Sequence, residues 1–201
     1  MDDNKRFWER FAKLYGPIQE KSNAALYAAV VEHCRPYLTK ETGVLELACG
    51  SGQLTLPLCG CAGHWEATDF AEAMVRETKK RCPAAHTSVQ DATALTYGDG
   101  SFQVVLIANA LHIMPEPDKA MAEIRRVLAP GGMVLAPTFV YEGKVNRLRM
   151  RLTELVGFRT YVKWDLNDLA GFLEQHGFEV VEKCLLPGSP LPEGFAAGRK
   201  K

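Results

Sequence analysis

Apolar positions change period along this chain, and the changes divide it into elements. Phe7, Trp8, Phe11, Leu14 and Tyr15 fall on one helical stripe. They predict an amphipathic helix over 2–15, stopped by Gly16-Pro17. Leu26, Ala29, Val30 and Val31 predict a second helix over 22–37 with Ser22 as cap. Past Thr42-Gly43 the helical period gives way to short apolar runs of strand length. Strands are expected near 44–48, 64–69, 85–90, 102–108 and 132–137, alternating with helices near 53–59, 71–81 and 118–128. Val104-Val105-Leu106-Ile107-Ala108 is apolar on both faces, the pattern of a strand inside a parallel sheet. Pro130-Gly131-Gly132 reads as a tight turn before the next strand. Helices are also expected over 143–157 and 167–176, the latter capped by Asp165 or Asn167 and ended by Gly177. Strands at 178–185 and 195–199 complete the chain, joined by the Pro- and Gly-rich stretch 187–194. This alternation predicts a doubly wound α/β fold.

The 201 residues show no repeat, low-complexity run or linker, so one domain with its own core is expected. Lys plus Arg equals Asp plus Glu, 24 each, and zero net charge disfavours a general nucleic-acid binder. No apolar run reaches the ~20 residues of a spanning helix. Met1-Asp2-Asp3-Asn4 is acidic where a secretory signal is basic. The six scattered cysteines, Cys34, Cys49, Cys59, Cys61, Cys82 and Cys184, then read as reduced thiols of a cytoplasmic protein. Cys59-Gly60-Cys61 has no second ligand pair at zinc spacing, so no metal is expected.

The chemistry concentrates in residues 44–53. Val44-Leu45-Glu46-Leu47 runs into Ala48-Cys49-Gly50-Ser51-Gly52, and a helix follows at once. A buried strand feeding a glycine turn and a helix builds a nucleotide-like ligand site at the strand's carboxyl end. Gly50 and Gly52 let backbone approach a ligand closely, or form a plain turn; the next strands decide. Asp69 ends the second strand, seventeen residues past Gly52, placed to accept from two ribose hydroxyls or to cap the following helix. Asp91-Ala92 follows the third strand, where a carboxylate can accept from an adenine amino group and an N–H can donate to a ring nitrogen. Asn109 follows the fourth, beside the reactive end of such a ligand. His112 comes next, either an acid–base group or a core histidine. Acids at Glu46, Asp69 and Asp91 would repel a pyrophosphate, and no Gly-Lys-Ser/Thr loop is present. They suit a cationic ligand bearing an amino group, a ribose and an adenine, which selects S-adenosylmethionine over NAD or ATP.

These segments resemble the class I S-adenosylmethionine-dependent methyltransferases, particularly the small-molecule type 11 group. The matching pieces are 44–52, Ala67-Thr-Asp69-Phe-Ala-Glu-Ala-Met74, Gln90-Asp-Ala92, Ser101-Phe-Gln-Val-Val105, Ala110-Leu-His-Ile-Met114 and the run from Glu123 to Gly132. They lie in family order over about half the chain. The resemblance implies a Rossmann-like, mostly parallel seven-stranded sheet with N-terminal lid helices, in a single domain: helices over 1–40, a cofactor-binding core over 41–140, and acceptor-side helices and final strands over 141–201. It implies that Glu46 orients the loop and reaches the methionine amino group through water, and that Ala48, Gly50 and Gly52 pass beside the methionine moiety. Asp69 holds the ribose, Phe70 and Met74 lie near the adenine, and Asp91 and Ala92 read its edge. Asn109 borders the methyl end through its backbone or amide, and Tyr15 resembles the family's lid tyrosine. Two residues depart from the pattern: Ala48 stands where many members have Gly, and Gln103 where Asp is common.

Methyl transfer from a sulfonium is an in-line displacement, and alignment alone can supply ~7–11 kcal/mol. A base is needed only for an acceptor protonated near neutrality; His112 is the first candidate by position and Tyr15 the second. No Asn-Pro-Pro-Tyr follows the fourth strand, which disfavours nucleic-acid amines. The expected acceptor is a small molecule. Lys144, Arg147, Arg149, Arg151, Arg159 and Lys163 in segment 141–163 form a solvated basic face, or meet an anionic acceptor or a lipid headgroup surface, a peripheral membrane contact. Two other functions use the same loops: a non-catalytic S-adenosylmethionine-binding regulator, and a nicotinamide oxidoreductase.

Overall fold

A computed structural model describes residues 8, 9, 12, 23–142, 160–188 and 191–201. Alternating sides of the central strands feed two apolar cores, and helices cover both. Val44 and Leu106 pack with Leu26, Val30, Val31 and Cys34 of α1, residues 23–34. Leu45, Leu47, Val105 and Ile107 face the other way, against Ala120, Met121, Ile124 and Val127 of α4 (Pro117–Val127) and Leu169 and Leu173 of α5 (Leu166–Gln175). Each such side chain, fully buried, contributes roughly 1.5–3 kcal/mol.

Strands β1 (Gly43–Leu47), β2 (His64–Asp69), β3 (His86–Val89), β4 (Phe102–Ile107) and β5 (Leu128–Leu135) are parallel in the order β3-β2-β1-β4-β5. Helices α2 (Thr55–Leu58) and α3 (Glu72–Arg81) follow β1 and β2. β8 (Glu193–Lys200) runs antiparallel between β5 and β7 (Phe178–Leu186). A short strand β6 (Thr138–Phe139) also pairs with β8. Its register continues that of β5: Leu135 faces Ala197, and three residues on, Thr138 faces Gly194. β6 is therefore β5 resumed beyond Pro137, and the eight segments make seven strands.

The sequence pattern and the structure differ in two places. Pro130-Gly131-Gly132 lies inside β5, where the register slips from Phe102↔Leu128 to Val104↔Met133. The glycines form a bulge, with Gly131 at φ 71, and a Cβ on Gly132 would meet Ala129 O and Gln103 O at 2.9 and 3.0 Å. β8 starts at Glu193, two residues before the expected strand. The helix expected over 143–157 lies outside the described residues, as do Ser22 and all of 2–15 except Trp8, Glu9 and Ala12. The 166–175 helix starts with a capping box: Asp165 accepts from the Asn167 and Asp168 N–H groups, and Asp168 accepts from the Asp165 N–H.

Two side-chain groups tie the ends of the chain to the sheet. His33 Nδ1 and the Tyr37 hydroxyl each lie 2.6 Å from the Glu182 carboxylate, clamping α1 to β7. Cys184 Sγ lies 3.8 and 3.7 Å from the two ring nitrogens of His33. No helix among the described residues is long and apolar enough to cross a membrane.

Candidate active site

The carboxyl ends of β2, β1, β4 and β6, with the antiparallel start of β8, bring Asp69, Gly50, Asn109, Phe139 and Glu193 into one row. Two non-glycine residues there have left-handed backbone, Ala48 at φ 54 and Asn109 at φ 53. They end the adjacent strands β1 and β4. Such strain persists where surrounding structure over-determines the backbone, and it collects at ligand sites. Gly50 and Gly52, at φ 57 and 83, complete the turn.

The turn is held from α3. The Thr78 hydroxyl donates to Gly50 O at 2.8 Å, and Arg81 donates to Ser51 O at 2.7 Å. A Cβ on Gly52 would press on the Thr78 hydroxyl at 3.3 Å in a backbone conformation, φ 83, that favours glycine. Asp69 holds the turn from β2: its Oδ2 accepts from Gly50 N–H at 3.0 Å and its Oδ1 from Ala71 N–H at 2.9 Å. Both readings of Asp69 thus need widening, since the carboxylate fastens the glycine turn as well as the start of α3. Burial raises its pKa to about 6 against the lowering by those N–H groups.

Glu46 points inward from the strand. Its Oε2 accepts from the Thr55 hydroxyl at 2.6 Å and Trp65 Nε1 at 2.8 Å, and burial lifts its pKa to about 7. It fixes α2 and β2 beneath the turn. Phe70 is half-buried and, like Trp8, packs against the cluster of Ala12, Ala71 and Met74. Met74 is 1% exposed, so it supports Phe70 from below. Asp91 is exposed; its Oδ1 accepts from the Thr93 N–H and hydroxyl in a local turn, next to the half-buried Ala92.

Asn109 is committed at both ends of its amide. Its Oδ1 accepts from Phe139 N–H at 3.1 Å and its Nδ2 donates to Glu193 Oε1 at 3.3 Å. Its backbone N–H donates to Pro137 O at 2.8 Å, so its carbonyl is the group left to border a ligand. His112 is 2% exposed, and burial drives its pKa down to about 4. A neutral imidazole of such low basicity, packed edge-on to Phe139 at 6.0 Å between centroids, fits the core-histidine reading better than that of a base. Tyr15 and the basic residues between 143 and 159 lie outside the described residues; Lys163 stacks over the Tyr141 ring at 5.4 Å.

Glu193 escaped the sequence reading, because Pro192-Glu193-Gly194 has the look of a loop. The only signal for it was an acid just before an apolar strand. Gln103, in place of the family's Asp, is exposed and accepts from Gly43 N–H at 2.8 Å. Cys59 Sγ lies 3.0 Å from Cys82 Sγ, a partner far from the Cys59-Gly60-Cys61 pair in sequence.

A family defined as a methyltransferase domain matches residues 44–132, the strands and loops just described. An uncharacterized methyltransferase of Synechocystis is 33% identical over 154 residues, 74% of this chain and 72% of that one. The chain belongs to the S-adenosylmethionine-dependent methyltransferases. This methyltransferase is also 38% identical to the demethylmenaquinone methyltransferase of Renibacterium salmoninarum over 96 residues, 48% of its own length. It spans only 40% of that relative. A solved S-adenosylmethionine-dependent methyltransferase from Thermotoga maritima shares the fold at a TM-score of 0.80, with 20% identity over 98% of this chain and 99% of that one.

Proposed function

We propose that this methyltransferase is an active enzyme that moves the methyl group of S-adenosylmethionine to a small-molecule acceptor with a lipid-like, quinol-type ring. The observation that carries the reading is the row of backbone and carboxylate groups along the strand ends, with left-handed Ala48 and Asn109 on either side of the β1–β4 junction. It offers acids and closely approaching backbone without a basic side chain in the row to meet phosphate, which suits a cationic amino-acid ligand and not a polyphosphate.

S-adenosylmethionine supplies a methyl group already activated on a positively charged sulfur. The chain's part is alignment. The Gly50–Gly52 turn passes beside the methionine portion, fixed from below by Glu46 and from the side by Thr78. Asp69 meets the ribose, Phe70 covers one adenine face, and Asp91 with Ala92 meets its edge. Asn109, its amide occupied, presents backbone at the methyl end. Holding the partners in line accounts for most of the barrier reduction.

Relatives named demethylmenaquinone methyltransferase and ubiquinone/menaquinone biosynthesis C-methyltransferase support the choice of a quinol ring as the first acceptor to test. Isothermal titration with S-adenosylmethionine, S-adenosylhomocysteine and NAD tests the donor, and tritiated methyl transfer to reduced 1,4-naphthoquinone tests turnover. Donor binding without transfer to any acceptor would favour the regulatory alternative; binding of NAD alone would overturn the reading.

A further inference from the structure

Glu193 is 1% exposed, and its two oxygens have different fates. Oε1 accepts from Asn109 Nδ2, whereas Oε2 is buried with no hydrogen-bond partner among the described residues. A buried carboxylate oxygen without a donor is costly, roughly 1–3 kcal/mol or more. Such an oxygen calls for a donor from outside the fold, a water or a ligand. Its position identifies the ligand. Glu193 faces Phe139 across the β6–β8 ladder, and Phe139 N–H is bound by the same Asn109 that ends β4. Along the row the order is Asp69, Gly50, Asn109, Glu193. Read from ribose to methionine to methyl, the next place is that of the methyl acceptor. Glu193 also lies on the α1 side of the sheet with Glu46: the Cys34 thiol of α1 is pushed up first by burial and then by Glu46 and Glu193.

We propose that Glu193 is the proton acceptor for the methyl acceptor, and that the site takes an acceptor presenting an O–H donor. The inference rests on the methyl-transfer reading above. Glu193 Oε2 receives the acceptor's O–H proton as the new bond to the methyl carbon forms, at the oxygen or at a ring carbon conjugated to it. The methyl–sulfur bond breaks with its electron pair on sulfur, leaving S-adenosylhomocysteine, and the proton passes from Glu193 to solvent. The carboxylate sits in surroundings that raise its proton affinity: burial lifts its pKa to about 7, against the smaller lowering by Asn109. That places it in the range where a general base works best. Asn109 is a positioning residue, holding Oε1 so that Oε2 faces the acceptor. The same carboxylate disfavours an anionic group at this point, so the basic segment 141–163 would have to meet any acceptor charge elsewhere.

The test is acceptor acidity. Wild type, Glu193→Gln and Glu193→Asp are compared in tritiated methyl transfer to reduced 1,4-naphthoquinone and catechol, which carry O–H protons, and to thiophenol, ionised at neutral pH. In both variants transfer to the O–H acceptors falls by on the order of 100-fold or more, transfer to thiophenolate does not fall and rises in Glu193→Gln, where the anion no longer meets a carboxylate, and S-adenosylmethionine affinity is unchanged by titration calorimetry. A structural role would lower all three acceptors together. Equal loss on every acceptor, or no loss on the O–H acceptors, overturns the assignment of Glu193 while leaving the methyltransferase reading intact. Wild type that binds the donor and methylates none of the three overturns both.

Discussion

Asp69 Oδ2 accepts a hydrogen bond from the Gly50 N–H at 3.0 Å, so the carboxylate ending β2 closes onto the turn that ends β1. Its other oxygen takes the Ala71 N–H. One buried side chain thereby sets both walls of the proposed cofactor cleft. Asp69→Ala leaves two backbone donors without their acceptor, at about 1–3 kcal/mol each when they remain buried. S-adenosylmethionine affinity is expected to fall at least tenfold and the urea midpoint to drop as well. Asp69→Asn keeps one acceptor oxygen and should lose less stability than alanine. Calorimetry and urea denaturation on both variants check this; unchanged affinity in Asp69→Ala would confine the residue to loop support.

Ala48 carries the family's departure from glycine at a backbone angle, φ 54, that suits glycine. A Cβ in this region costs roughly 1–2 kcal/mol, partly offset because glycine has more unfolded freedom to lose. Ala48→Gly is expected to raise stability by up to about 1 kcal/mol and to leave donor binding intact. Ala48→Val, branched at Cβ in the same conformation, should destabilise by more than alanine does. Thermal unfolding of the three proteins gives the order.

Three acids at this edge have raised pKa values: Glu46 and Glu193 at about 7 and Asp69 at about 6, all by burial. An acid that binds its proton more tightly folded than unfolded contributes stability below its ordinary pKa, and loses it as pH rises through the folded value. The unliganded protein should therefore become less stable from about pH 4 to pH 7 through these three groups, with little further loss above. His112, lowered to about 4, acts in the opposite sense: its contribution falls away as pH drops from about 6.5 towards 4. Three acids outweigh one histidine between these values, so the net expectation is a fall in stability from about pH 4.5 to pH 7 and a level curve above it. Glu46→Gln or Glu193→Gln should make that fall shallower. Urea titrations at half-unit pH steps test the shape, and a midpoint that rises from about pH 4.5 to 7 contradicts it.

The parallel core was legible because each strand is a short apolar run and each helix has a 3.6 period. Val104 to Ile107 buries both faces, and Asp165 caps as its type predicts. What escaped was set by contacts between distant segments. β6 is two residues after Pro137, too short to carry a pattern, and exists because the β5 register on β8 resumes there. Glu193 looks like a turn residue until Asn109, 84 positions away, reaches it. Asp69 and Glu46 were picked out for their chemistry, but the direction of each carboxylate depends on partners that no local spacing encodes: Gly50 for one, Trp65 for the other. His112 shows the converse: its position suggested a base, and its burial, invisible in sequence, argues against one.

Glu9 joins the N-terminal segment to the cofactor edge. Its two carboxylate oxygens accept from the Glu72 and Ala73 N–H groups at 2.8 and 3.2 Å, at the start of α3, where Ala71 makes no side-chain cap of its own. The helix terminus favours a negative charge there. Trp8 and Phe70 pack against the cluster of Ala12 and Met74 beside the same contact. An external residue thus caps α3 and at the same time holds Trp8 and Ala12 beside the expected adenine face. Glu9→Gln keeps acceptor geometry but loses the charge, and Glu9→Ala loses both. A cap of this type is worth about 0.5–2 kcal/mol. If the segment covers the bound donor, that energy appears in dissociation: S-adenosylmethionine should leave about fivefold faster from Glu9→Ala, with Glu9→Gln between it and wild type. Glu9 also raises the proton affinity of Asp69, so its removal slightly favours the charged Asp69 and cannot itself explain weaker binding. Stopped-flow displacement by S-adenosylhomocysteine measures the rates. Equal rates in all three proteins, with a lowered thermal midpoint in Glu9→Ala, would reduce Glu9 to a cap of α3 with no part in retaining the donor.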